Sequence, residues 1–194
     1  MRRTLSRIGW GVIGSLFLVT PLFASSAFEE EASSNPTALN WAYHHEAAGV
    51  LAEIHGLSTR LADETDFLEL NSRRNQLTWE SHAQQLNEIR WHINRMGEKL
   101  DRLQEISGMI APWQQKAVER VMPKAMALAE RTEGAIAFLN EQQGNMWSDP
   151  YTTHVSAMSD HAEEIKSTVS MFLEYGEASG KIEVLESQIE YSGV

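Results

Sequence analysis

Three imidazoles at helix-seam spacing, those of His82, His154 and His161, are the groups in this chain best suited to chemistry. Histidines that several helices contribute to a shared core can hold zinc, copper, iron or haem b. Counting along the chain brings His55 and Glu133 toward the same region. The alternative to a transition-metal or haem site is plain structure. A seam histidine can hydrogen-bond a neighbouring carbonyl or carboxylate, and coiled-coil seams use polar residues to fix register. Spacing limits coordination as well: His154 and His161 are two turns apart, about 10.5 Å of helical rise. They cannot both ligate one ion in regular geometry.

The signatures of known chemistries are missing. The sequence has no Glu-x-x-His at matched positions of two helices, no His-Glu-x-x-His, no glycine-rich phosphate loop and no Gly-x-Ser-x-Gly elbow. A c-type haem needs cysteines, and there are none. Glu88 and His92 are expected to project away from their helix seam. Leu77-Thr78-Trp79-Glu80 is followed by Ser81, so a Leu-Thr-x-x-Gln pattern is not completed. The expectation is therefore a non-catalytic protein with no resident cofactor, working as a binding or interaction module. The alternatives are a metal- or haem-binding bundle built on the seam histidines and a sensor-like bundle that binds a small molecule.

The elements that must position these residues are long amphipathic helices. From Trp79 to Leu103, apolar residues and His82 recur at three- and four-residue steps: Trp79, His82, Leu86, Ile89, Ile93, Met96, Leu100, Leu103. A helix of that span is about 37 Å long at ~1.5 Å per residue, and so narrow a seam needs partner helices of similar length. A first helix is predicted from Thr37 to Ala62 behind Pro36, with seam residues Tyr43, Ala47, Val50, Ile54, Leu57 and Leu61. Gly49 and Gly56 either let another helix approach or soften this one. Asp63 to Arg74 reads as a connector. The second helix is expected to begin near Ser72 and end at Ser107-Gly108. The third opens at Ala111-Pro112, carries Pro123 as an expected kink, and ends at Gly144. The fourth starts at Ser148-Asp149-Pro150, with seam residues Tyr151, His154, Met158, His161, Ile165, Thr168, Phe172 and Tyr175. Gly176 to Gly180 is expected to break it.

This pattern predicts an all-α fold: an up-down-up-down antiparallel four-helix bundle with coiled-coil-like helices over residues 36–176. Residues 177–194 are a C-terminal extension of undecided structure. Aromatic residues are expected at both ends, with Trp41, Trp113 and Tyr175 at one and Trp79, Trp147 and Tyr151 at the other. Met109 and Trp113 should close the first of these. Trp91 falls on the polar side of its helix and is a candidate for contact with a partner.

The amino terminus reads as an export signal. Arg2, Arg3 and Arg7 precede the apolar run Ile8 to Phe23, and Ser25-Ser26-Ala27 supplies small residues for cleavage after Ala27. Residues 28–35 are then a flexible leader, and the protein is expected to be periplasmic or secreted, with no membrane contact apart from the signal. Without cysteine, packing alone must hold the fold. Beyond residue 27 the chain carries 13 basic and 27 acidic residues, a net charge of −14. Such a charge repels phosphate backbones, so nucleic acid is excluded as an expected partner. A protein partner or self-association is compatible with it.

Overall fold

The computed structural model describes residues 36–74 and 77–192. The expected signal segment and leader, residues 1–35, lie outside the described residues. Those described form four α-helices and one short 3-10 turn, with no strand: α1 (Pro36–Arg74), α2 (Trp79–Glu105), a turn at Ser107–Met109, α3 (Pro112–Glu141) and α4 (Asp149–Ser192). α1 packs on α2 and α4, and α3 packs on α2 and α4.

Each helix buries one continuous stripe at alternating four- and three-residue steps. In α2 it is His82, Leu86, Ile89, Ile93, Met96, Leu100 and Leu103, as the sequence pattern predicts from His82 onward. In α3 it is Gln114, Val118, Val121, Ala125, Leu128, Thr132, Ala135 and Leu139. Each Leu or Ile taken fully out of water contributes about 1.5–3 kcal/mol, which is what draws these stripes together.

α1 is longer than expected. The presumed connector from Asp63 continues the helix to Arg74, for 39 residues in all. Its buried stripe is Ala47, Leu51, Ile54, Ser58, Leu61, Thr65, Leu68 and Ser72. Every second member from Ser58 onward is a hydroxyl, which breaks the apolar pattern in the sequence. These hydroxyls satisfy themselves within the helix: Thr65 donates to the Leu61 carbonyl at 2.7 Å and Ser72 to the Leu68 carbonyl at 2.6 Å. Gly49 and Gly56 lie on the exposed side with open space above them, so neither serves a close helix approach.

α4 is also longer. It runs unbroken through Gly176 and Gly180 to Ser192, 44 residues or about 66 Å. Gly176 is no breaker: a Cβ there would lie 2.6 Å from the Trp113 ring, so its bare backbone seats the indole. The buried stripe of α4 is Tyr151, Val155, Met158, Ala162, Ile165 and Val169. His154, His161 and Thr168 therefore flank the core by one position and are half-buried.

Polar contacts tie the helices together. Along α1 and α2, Glu46 pairs with Arg102 at 2.8 Å, Glu53 with Lys99, and Glu64 with His92 at 3.1 Å. Lys124 of α3 pairs with Glu164 of α4. Gln114 is buried at the start of α3, where its side-chain carbonyl accepts from the Ala111 N–H. Its amide nitrogen donates to the His44 carbonyl at 2.8 Å. Ile106 and Ile110 close this end, rather than Met109, which is exposed. Pro123 sits on the solvent side of α3, where its missing N–H costs least.

Candidate functional site

His82 is the one expected ligand that lies in the core. Its Nδ1 shares a hydrogen bond of 2.9 Å with the phenol oxygen of Tyr151, and the two rings meet edge to face. Phe138 packs beside Tyr151 at 5.8 Å between ring centroids. Burial pushes the His82 imidazole below its usual range and the Tyr151 phenol well above its own. Both are neutral at neutral pH, and the pair is a satisfied polar contact inside an apolar layer.

The other four expected ligands are dispersed. His154 lies over Gly134, so close that a Cβ there would run into its ring. His161 is half-buried on α4; its Nδ1 and that of His154 are enclosed without a hydrogen-bond partner among the described residues. His55 is half-buried, and its carbonyl accepts from the Ser58 and Thr59 hydroxyls, each at 2.9 Å. Glu133 is exposed on α3. Among the described residues no three His, Cys, Asp or Glu side chains come together to hold a metal ion.

One titratable pair escaped the sequence reading. His92 is buried against Glu64 of α1, Nε2 to Oε1 at 3.1 Å, instead of projecting away from the core. Burial, aided by the nearby Glu88 carboxylate and opposed by His92, holds the Glu64 carboxyl above its usual range. The signal that could have found this pair was the helical register of Glu64, hidden by reading Asp63 onward as a connector.

The aromatic residues divide between core and surface. Trp113 and Tyr175 meet edge to face at 6.5 Å as expected, whereas Trp41 is exposed and stacks on His45. At the other end only Tyr151 is buried. Trp147 is 55% exposed beside an open groove lined by Ser72, Arg73, Thr152, Thr153 and Ser156, which is polar rather than an aromatic cavity. Trp91 is 52% exposed, and the Arg95 guanidinium lies over its ring at 4.9 Å.

The last part of α4 is an uncovered apolar feature. Every residue from Glu177 to Ser192 is exposed, among them Ile182, Val184, Leu185 and Ile189 at 55–57%. Isolated exposed aliphatics are ordinary, but these four lie on one short helical segment.

No helix among the described residues is long and apolar enough to cross a membrane. No protein-family model, curated protein or solved structure matches this chain.

Proposed function

We propose that this is an exported four-helix bundle that acts by binding another macromolecule in the cell envelope, without catalysis. The observation that carries the reading is the exposed aliphatic segment of α4 beyond Gly176. A helix with an apolar stripe and no tertiary partner is marginal in water, because helices draw most of their stability from packing that stripe. Trp91, capped by Arg95, adds a second surface of the kind enriched at interfaces.

The helices run up-down-up-down in this reading. As the α1 partner advances from Glu46 through Glu53 to Glu64, the α2 partner steps back from Arg102 through Lys99 to His92. The Gly134–His154 and Trp113–Gly176 approaches relate α3 and α4 in the same opposed sense. Export rests on Arg2, Arg3 and Arg7 ahead of Ile8 to Phe23 and the small residues up to Ala27. Sequencing the amino terminus of the protein from the cell envelope should return Phe28 as the first residue.

The binding reading is tested by a photoreactive side chain placed at Leu185 in living cells, with exposed Asp101 of α2 as the control position. An adduct from position 185 alone is expected. No adduct from 185 would overturn the reading.

A further inference from the structure

α4 changes register as it leaves the bundle. The core stripe Tyr151, Val155, Met158, Ala162, Ile165 and Val169 continues on paper through Phe172, Gly176, Ser179, Glu183, Glu186 and Glu190. From Ser179 onward those positions are polar or charged. The apolar residues instead follow Tyr175, Ala178, Ile182, Leu185 and Ile189, again in three–four steps. This second stripe is set back by one residue, about 100° around the helix. It therefore points to one side of the bundle core: Tyr175 at its start still meets Trp113 of α3, while Ile182, Leu185 and Ile189 beyond it are exposed.

We propose that this segment forms a parallel two-stranded coiled coil with a second copy of the chain, a partner assignment that rests on the binding reading above. Numbered as heptads, Tyr175, Ile182 and Ile189 take position a, and Ala178, Leu185 and Ser192 take position d. Among parallel coiled coils, isoleucine at a (Ile182, Ile189) with leucine at d (Leu185) favours two strands. The flanking charges agree. Lys181 falls at g and Glu186 at the e position five residues on, the two that meet across a parallel dimer. In antiparallel pairing Lys181 would face Gln188 and Glu186 would face Ser179, with no ion pair. Gly180 lies at the outer f position, where the lack of a side chain costs the interface nothing.

Symmetry leaves room for the bundles. Each core lies about 100° from the direction of the partner, so a two-fold axis along the coil puts the two cores on opposite sides of it. The segment spans only about two and a half heptads, short for an isolated coil. Here the bundle supplies the helix nucleus, so pairing does not bear that cost. Other occupants are less favourable. Residues 177–192 carry four glutamates against one lysine, which repels an anionic membrane surface and the acidic stretch Glu29-Glu30-Glu31; a second copy carries the same charge but sets its Glu186 against Lys181.

Sedimentation equilibrium of the purified protein should give a reversible monomer–dimer equilibrium. Ile182→Asp should abolish the dimer without changing the thermal unfolding of the bundle, since Ile182 is exposed in the monomer. Lys181→Glu should weaken it about fivefold, and adding Glu186→Lys should restore it. The chain has no cysteine of its own, so Ile182→Cys can be oxidised cleanly. It should form a disulfide-linked dimer, while Val184→Cys should not. A monomer at all concentrations, a dimer indifferent to Ile182→Asp, or no cross-link at 182 would overturn the proposal. The adduct from Leu185 separates the two levels: one to a different protein leaves the binding reading standing and removes self-pairing, whereas no adduct removes both.

Discussion

His82 and Tyr151 stand 69 positions apart in the chain, yet Nδ1 of one and the phenol oxygen of the other are 2.9 Å apart in the core. Each is the other's buried polar partner, so removing either leaves a group without water or protein to bond. Tyr151→Phe should cost about 1–2 kcal/mol, and His82→Ala, which also opens a cavity, about 2–4 kcal/mol. Because the two losses share one contact, the double variant should be about 1 kcal/mol more stable than their sum implies. Urea unfolding of the four proteins checks this, and simple additivity would contradict it.

The same histidine gives the fold a pH dependence of known sign. Burial lowers its folded pKa from an unfolded value of 6.5, so the unfolded chain takes up the proton first. The stability this neutral imidazole contributes is present above pH 6.5 and is lost as pH falls through that value toward the folded pKa. The difference in melting temperature between the wild type and His82→Gln should shrink on acidification from pH 8 to pH 5.

Glu64 acts in the opposite direction. Its folded pKa is raised above 4.5 mainly by burial, with Glu88 adding to the shift and His92 and Arg60 opposing it. The protonated carboxyl therefore favours the fold below pH 4.5, and that contribution is lost as pH rises through the folded pKa. Glu64→Gln should be at least as stable as the wild type at pH 7 and should lose ground to it as the pH is lowered toward 4.5. Chemical unfolding at a series of pH values reads this directly, and a wild-type advantage that grows toward neutral pH would contradict it.

The heptads made the helices legible, because three–four spacing of apolar residues is a property of the sequence itself. Register within a helix was harder to read. His154 and His161 fit a three–four count from Tyr151 as well as Val155 and Ala162 fit a four–three count. Only packing against α1 and α3 chooses, and it buries Val155 and Ala162 instead. The end of α1 beyond Ala62 was hidden because Thr65 and Ser72 occupy core positions while looking like a polar connector, as Ser58 does within the predicted helix. Their hydroxyls bond to carbonyls one turn back, a device with no apolar trace in the sequence. The histidine cluster was overread for the same reason: seam spacing brings residues to one end of a bundle, but their facing decides whether they converge.

Gly176 and Gly180 are one helical turn apart, and both were expected to end α4, yet they predict substitutions of opposite sign. Gly180 is exposed with open space around its Cα, so Gly180→Ala should only improve helix propensity, by about 1 kcal/mol. Gly176 carries the Trp113 indole at a distance no Cβ tolerates, and the ring is itself held against Tyr175. Gly176→Ala gains the same propensity but must displace the ring, an overpacking cost of about 1–3 kcal/mol. It should therefore be neutral to destabilising by about 2 kcal/mol and should shift Trp113 fluorescence. In a Trp113→Ala background the same substitution should become stabilising, because the obstacle is gone. If Gly176→Ala stabilises the wild-type protein as much as Gly180→Ala does, the indole is not seated on that glycine.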